Sequence, residues 1–389
     1  MRIALVLADT PAYSETFFTS KIKGLLENGF EVVLYTRNQR NSFDLCKVVK
    51  APDFTGNALR KLVVVAFTFF KLLGHPVVVK RFVQWEKKSN RSAKAILKNL
   101  FVNSHLLTAK ADWVHFGFAT LAVGSENVAR AINAKMAVSF RGFDINVYPL
   151  KHSNVYDLVW KRLDRVHSIS IYLWEKALTL GLEDSIPKAI ITPAVVLDKL
   201  PMRKAASSVH KVVTIARFNW IKGLDAALMA IKHIKEKGGA VEYHVIGAGA
   251  KEAEERIRFI AHVLQVEEVV IFHGKKSHAE TLQILKDANV YLQPSLNEGF
   301  CNAVLEAQAM GIPCVVTNGG ALPENVMDGK TGRIVPVHNT WEMANALQNV
   351  LQMSESELEN LQKLAVKRIE GDFSIKKQQK QFVAFYRSL

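Results

Sequence analysis

The sequence predicts an α/β protein of two doubly wound, Rossmann-like domains that face each other across a central cleft. Three observations lead there. The chain has 389 residues, more than a single hydrophobic core ordinarily uses. Short runs of Val, Ile, Leu and Phe alternate with longer helix-periodic segments. That alternation halts near residue 200, where Pro201 and the small residues Ala205, Ala206, Ser207 and Ser208 read as a linker, and then restarts. The expected domains are residues 1–200 and 201–372. A composition of 49% hydrophobic and 22% charged residues excludes a disordered chain. Three cysteines without a C-x-x-C pair exclude a disulfide framework. Residues 1–7 run directly into a strand and lack the features of a secretory leader, so the expected compartment is the reduced cytoplasm.

In chain order, residues 3–7 form an uninterrupted apolar run, as expected of a parallel strand covered on both faces. Residues 16–28 read as a helix stopped by Gly29, and 31–35 as the second strand. Further strands are expected at 113–116, 137–140, 166–169 and 189–192. After the linker they are expected at 211–216, 242–246, 269–272, 290–293, 313–317 and 332–335. In such sheets ligands bind beyond the carboxyl ends of the strands.

The net charge of +15 is unevenly spread, with 28 basic and 16 acidic residues before position 201. Residues 51–100 alone hold ten basic and two acidic residues around an apolar run from Leu62 to Phe70. Lys71, His75 and Pro76 interrupt that run, which falls short of the roughly 20 residues a membrane span needs. Two readings remain open. One is a core helix pair with a solvated basic face. The other is an apolar surface within 58–98, ringed by Lys61, Lys71, Lys80, Arg81, Lys87, Lys88 and Arg91, that docks on anionic lipid. Nucleic acid is not an expected partner, because the block lacks zinc-ligand spacing, a stacking aromatic motif and a recognition helix.

The densest chemical signal follows the strand at 290–293. A loop carries Glu298 and Gly299, a helix begins near Asn302, and Glu306 lies about one turn into it. Ionised carboxylates offer only acceptors, which suits the hydroxyls of a polyol. Backbone amides from Gly299 to Asn302 are placed to hold a phosphate. The alternative is a helix cap and a solvated glutamate. Glu298-x7-Glu306, followed by Gly319-Gly320-x-x-x-Glu324-x-Val326 and Asp328-Gly329-x-Thr331-Gly332, resembles the signature of retaining glycosyltransferases of family 4, which have the GT-B architecture. Arg217-Phe218-x-x-x-Lys222-Gly223 and Gly247-x-Gly249 resemble that family's diphosphate-binding loops, with Ala216 where the first loop usually has glycine. Asp112-x-x-His115 resembles its sugar-facing strand end, with His167 and Ser168 as further lining residues. Residues 373–389 resemble the terminal helix that crosses back onto the first domain.

The resemblance implies transfer of a sugar from a nucleotide diphosphate sugar to a glycan or lipid-linked oligosaccharide, as in exopolysaccharide and capsule assembly. The first domain would bind the acceptor and the second the donor. The implied catalytic residues are His115, Arg217, Lys222 and Glu298. Gly247, Gly249, Gly299, Phe300, Asn302, Ala303 and Glu306 would hold the donor. Ser14, Glu15, Arg141 and Asp144 would form the acceptor side, with Arg141 standing where the family usually has histidine. No metal site is evident, so the cations are expected to stabilise the leaving diphosphate without a metal or other cofactor. The expected location is peripheral, on the inner face of the cell membrane. The competing readings are an epimerase or phosphorylase of paired-domain fold, and a non-catalytic nucleotide-sugar-binding or membrane scaffold protein.

Overall fold

The structure is a computed structural model that describes residues 1–11, 16–197, 200, 201, 203 and 209–387. Ser14 and Glu15 lie outside the described residues, as does most of the expected linker. The chain divides into two compact units, Met1–Ile191 with Gln379–Leu389, and Thr192–Gln378. The break therefore falls at 191/192 instead of 200. Its cause is packing: the Val195 amide donates to the Phe373 carbonyl at 2.9 Å, and Val195 joins Leu305, Ala309, Ile369 and Phe373 in a core of the second unit. The final helix, Ile375–Arg387, starts in the second unit and belongs to the first from Gln379 onward.

The first unit holds a seven-stranded sheet in which every pairing is parallel. Its strands are β1 (Arg2–Leu7), β2 (Glu31–Thr36), β3 (Lys47–Lys50), β4 (Trp113–Phe116), β5 (Lys135–Phe140), β6 (Arg165–Ser168) and β7 (Lys188–Ile190), in the order β3-β2-β1-β4-β5-β6-β7. β3 was not expected. It is an edge strand with only two apolar residues, Val48 and Val49, both half-buried. Helix α1 (Thr16–Glu27) sets Phe18, Ile22 and Leu25 on the sheet at helical spacing. Phe382, Phe385 and Tyr386 of the final helix fill the same core.

Between β3 and β4 lie α2 (Ala58–Leu73), α3 (Pro76–Lys88) and α4 (Ala93–Val102). Each start carries a recognisable signal: the Asn57 side chain caps α2, Pro76 opens α3, and the Ser92 side chain caps α4. α3 is anchored by Phe82 and Glu86, both 0% exposed. The Glu86 carboxylate accepts from Asn99 Nδ2 and Asn127 Nδ2, each at 2.7 Å. Arg91 Nε stands 3.6 Å away and offsets its charge.

The second unit holds six parallel strands, β8 (His210–Ile215), β9 (Val241–Ile246), β10 (Val270–Gly274), β11 (Val290–Gln293), β12 (Cys314–Thr317) and β13 (Arg333–Val335). Their order is β10-β9-β8-β11-β12-β13. The direction of winding reverses between β8 and β11, so the connections leaving these neighbours diverge and open a crevice at their carboxyl ends. At the end of β9, Gly247 adopts φ +139°, and a Cβ there would stand 1.9 Å from the Ala216 carbonyl oxygen. Gly247→Ala is expected to lower stability by about 2–4 kcal/mol through clash and backbone strain, read as a lower urea midpoint.

Candidate active site

The crevice of the second unit is built by backbone lying against backbone. After β8 the chain makes a 3-10 turn at Trp220–Lys222, closed by Gly223 at φ +62°. A Cβ on Gly223 would stand 2.1 Å from the Pro294 carbonyl oxygen. The Leu296 amide, in the loop after β11, donates to the Ile221 carbonyl at 2.8 Å. On the other side, Gly319 and Gly320 lie against the same loop, and a Cβ on Gly320 would be 2.3 Å from the Glu298 carbonyl oxygen. The Ala321 amide donates to that oxygen at 2.9 Å.

This packing brings Lys222 and Glu298 together. Lys222 Nζ donates to Glu298 Oε1 at 2.5 Å, with side-chain exposures of 17% and 10%. Ser295 Oγ and Gln293 Nε2 donate to the same oxygen at 2.7 and 3.2 Å. Gln293 is itself held by Tyr291, whose hydroxyl donates to Gln293 Oε1 at 2.5 Å. Glu298 is thus an oriented, ion-paired carboxylate at the end of β11, and it does not cap the following helix.

The helix Asn302–Ala309 starts without a side-chain cap. The Cys301 amide is taken by Asn325 Oδ1 at 3.1 Å, while Asn325 Nδ2 donates back to the Cys301 carbonyl at 3.0 Å. The expectation of free amides from Gly299 to Asn302 is therefore corrected at Cys301. Gly299 is buried, Phe300 packs its ring 5.8 Å from Phe373, Asn302 is exposed, and Ala303 is half-buried. Burial pushes the Cys301 thiol up to about 12, in keeping with a packing role.

Glu306 is half-buried, and its Oε1 meets His278 Nε2 at 2.8 Å. That hydrogen bond holds the His278 imidazole above its usual range. Arg217 is exposed at the end of β8, with no ion-pair partner among the described residues. Phe218 and Gly249 are bridged, so the turn 247–249 lies directly against the turn after β8. The amide of Gly247 is used by the Gly274 carbonyl at 2.9 Å, and that of Gly249 by Glu254 Oε1 at 3.0 Å. His278, Gln293, Ser295 and Asn325 were not anticipated.

In the first unit two expected site residues do other work. His115, expected to touch a sugar, is 0% exposed in the sheet. His167 Nε2 meets the Ile191 carbonyl at 2.9 Å, so that nitrogen must donate. The neutral ring then accepts at Nδ1 from Ser139 Oγ at 2.7 Å, and Ser139 accepts from His115 Nε2 at 2.8 Å. The chain ends with the Tyr386 hydroxyl donating to His115 Nδ1 at 2.6 Å. Lys21 Nζ stands 3.3 Å from that nitrogen and 4.5 Å over the Phe382 ring. Burial holds Lys21, His115 and His167 well below their ordinary values.

Asp144, expected on the acceptor side, is likewise 0% exposed. Its carboxylate accepts from the amides of Ala119, Arg141 and Gly142 at 3.0, 3.0 and 2.9 Å, so it folds the loop after β5. The Arg141 guanidinium stacks 3.7 Å over the Phe17 ring. Ser168 is also buried.

Residues 203–368 match the family model described as "Glycosyl transferases group 1". AmsK of Erwinia amylovora, an amylovoran biosynthesis glycosyltransferase, is 24% identical over 380 residues, covering 92% of this chain and 91% of its own. The chain is a glycosyltransferase. WcaL of Escherichia coli K12, assigned by name to colanic acid biosynthesis, is 27% identical over 401 residues and 96% of each chain. The Anabaena protein HepE, solved with UDP and glucose, superposes with a TM-score of 0.72 at 14% identity over the whole of both chains. The two parallel-sheet domains of this glycosyltransferase therefore have the GT-B fold.

Two measurements test the site geometry of the glycosyltransferase. Lys222→Met leaves a largely buried carboxylate without its cation and is expected to cost about 2–3 kcal/mol. Adding Glu298→Gln should restore most of that stability in a urea titration but no turnover. In the first unit the unfolded chain binds protons that the buried imidazoles of His115 and His167 refuse. Stability should therefore fall as pH drops below about 6.5, the ordinary imidazole value. His167→Gln keeps both hydrogen bonds and should remove about one proton from that pH dependence, or about 1.4 kcal/mol per pH unit.

Proposed function

We propose that the enzyme moves a sugar from a nucleoside diphosphate sugar to a hydroxyl of a glycan or lipid-linked oligosaccharide, with retained anomeric configuration, during surface polysaccharide assembly. The observation that carries this reading is the Lys222–Glu298 pair at the carboxyl ends of β8 and β11, beside an uncapped helix start. The names of WcaL and AmsK, which concern colanic acid and amylovoran, support the polysaccharide context. The UDP and glucose of the HepE structure support the class of donor.

Glu298, turned by Ser295 and Gln293, presents acceptors to hydroxyls of the transferred sugar. Glu306, braced by His278, holds the ribose. Arg217 and Lys222 face the diphosphate together with first-turn amides of the helix Asn302–Ala309. The bond from the anomeric carbon to the phosphate oxygen breaks with its electron pair staying on the phosphate, and the two cations stabilise that charge. The acceptor oxygen bonds to the same face of the sugar, and its proton passes to the departing phosphate oxygen. These groups supply the charge stabilisation in this scheme without a metal or other cofactor. The enzyme works in the cytoplasm against the inner face of the cell membrane.

The first experiment is a thermal-shift panel of UDP, GDP, ADP and CMP on the wild type and on Glu306→Ala. At 100 times its dissociation constant one nucleotide should add about 2.7 kcal/mol, raising the melting point of the wild type by several degrees and that of the variant much less. Turnover with the matching nucleotide sugar should persist in EDTA and yield the donor's anomer by NMR. If neither nucleotides nor nucleotide sugars shift the wild type, the reading fails.

A further inference from the structure

α2 is amphipathic in the inverted sense. Its buried residues, Thr68 and Leu72, lie on one face. The opposite face carries Leu59, Leu62, Phe67, Phe70 and Leu73, which are 58–73% exposed. Their spacing, i, i+3, i+8, i+11 and i+14, forms one stripe along the helix. Val77, 59% exposed, continues it onto α3. Single exposed apolar residues are ordinary, but a contiguous stripe of this length marks an interaction surface.

The charge around the stripe selects the partner. Residues 58–98 contain ten basic residues and one acidic residue, Glu86. Glu86 is fully buried and satisfied inside the fold. Arg60 pairs with Asp53 and Arg91 with Glu126. None of the other eight has a carboxylate partner among the described residues. Lys71 lays its stem along the stripe, with Nζ 4.5 Å over the Phe67 ring, the posture of a side chain that buries its methylenes and keeps its charge at a polar boundary.

Shape adds a third argument. α2 and α3 meet at 106°, and among the described residues no single helix is long and apolar enough to cross a membrane. A cavity of about 590 Å³ opens at the bend, lined by Ala66, Phe69, Phe70, Leu73, Val79 and Leu100. α3 is pinned through Phe82 and Glu86, so the bend is held while the stripe stays outward.

We infer that α2 and the first turn of α3 dock the enzyme on an anionic bilayer surface. α2 lies in the interface plane with Phe67, Phe70, Leu73 and Val77 among the upper acyl segments, and the cavity at the bend takes the end of an acyl chain. Lys61, Lys71, Lys80 and Arg81 sit at headgroup level. This deepens the membrane-face reading above and rests on it only for which membrane is met.

The test is co-sedimentation of the full chain with phosphatidylcholine vesicles containing or lacking phosphatidylglycerol, across a salt series. The wild type should pellet with the anionic vesicles only, and less as salt rises. Lys71→Gln with Lys80→Gln should weaken binding about 25-fold, at roughly fivefold per lost base. Phe67→Gln with Phe70→Gln should weaken it at least tenfold at low salt, where attraction between charges alone would persist. Both pairs change exposed side chains, and an unaltered melting point and nucleotide shift would verify the fold and the donor site. Wild-type protein that stays in the supernatant overturns the inference, and so do variants that bind like wild type. A concentration-dependent dimer that Phe70→Gln dissolves also overturns it, because the stripe would then join two copies. Failure here with nucleotide binding intact would leave the transferase reading standing, whereas docking without any nucleotide shift would do the reverse.

Discussion

A carboxylate withdrawn from water has to meet a cation, and in the second unit that requirement governs everything beyond β8 and β11. Lys222 can reach Glu298 only because the turn that carries it presses against Pro294, and Gly223 is what lets it do so. Glu298 can point inward only because Gly319 and Gly320 support its loop from the far side. Sequence features spread over a hundred positions are one mechanical object, in which backbone passes under backbone and the ion pair locks the result. Orientation of this kind separates a site from a surface charge, since the carboxylate is held before any substrate arrives.

Much of the fold was legible in the sequence. The strands at 113–116 and 290–293 agree residue for residue, because buried parallel strands are continuous apolar runs bounded by breakers. β3 escaped, since two valines at a sheet edge carry no pattern. Of the residues singled out in the sequence, Lys222 and Glu298 meet in the structure, Glu306 meets His278, and Arg217 is exposed after β8. Their other neighbours were not legible, because His278 and Glu306 are 28 positions apart and on separate helices, so no spacing relates them. His115 and Asp144 went astray for a general reason. A polar residue at a strand end reads the same in sequence whether it faces a ligand or is satisfied within the sheet.

The buried chain from Tyr386 through His115 and Ser139 to His167 shows what satisfaction demands. Each link supplies one donor and one acceptor, and the Ile191 carbonyl at the far end sets the direction for all of them. A fully paired network can sit inside a sheet where a partly paired one would be costly. Lys21 joins on the condition that burial lowers its proton affinity.

The final helix bears on how the protein is made. Phe382, Phe385 and Tyr386 complete the core of the first unit, and the Tyr386 hydroxyl closes the polar chain at His115. A ribosome that has finished residues 1–191 has therefore produced a domain missing part of its interior. That half must wait, partly open, through the synthesis of the whole second unit. Folding strictly in order from the N-terminus, the usual course for two-domain chains, therefore cannot complete the first unit, and removing Phe382, Phe385 and Tyr386 would open the core of the first half of the chain, far away in sequence.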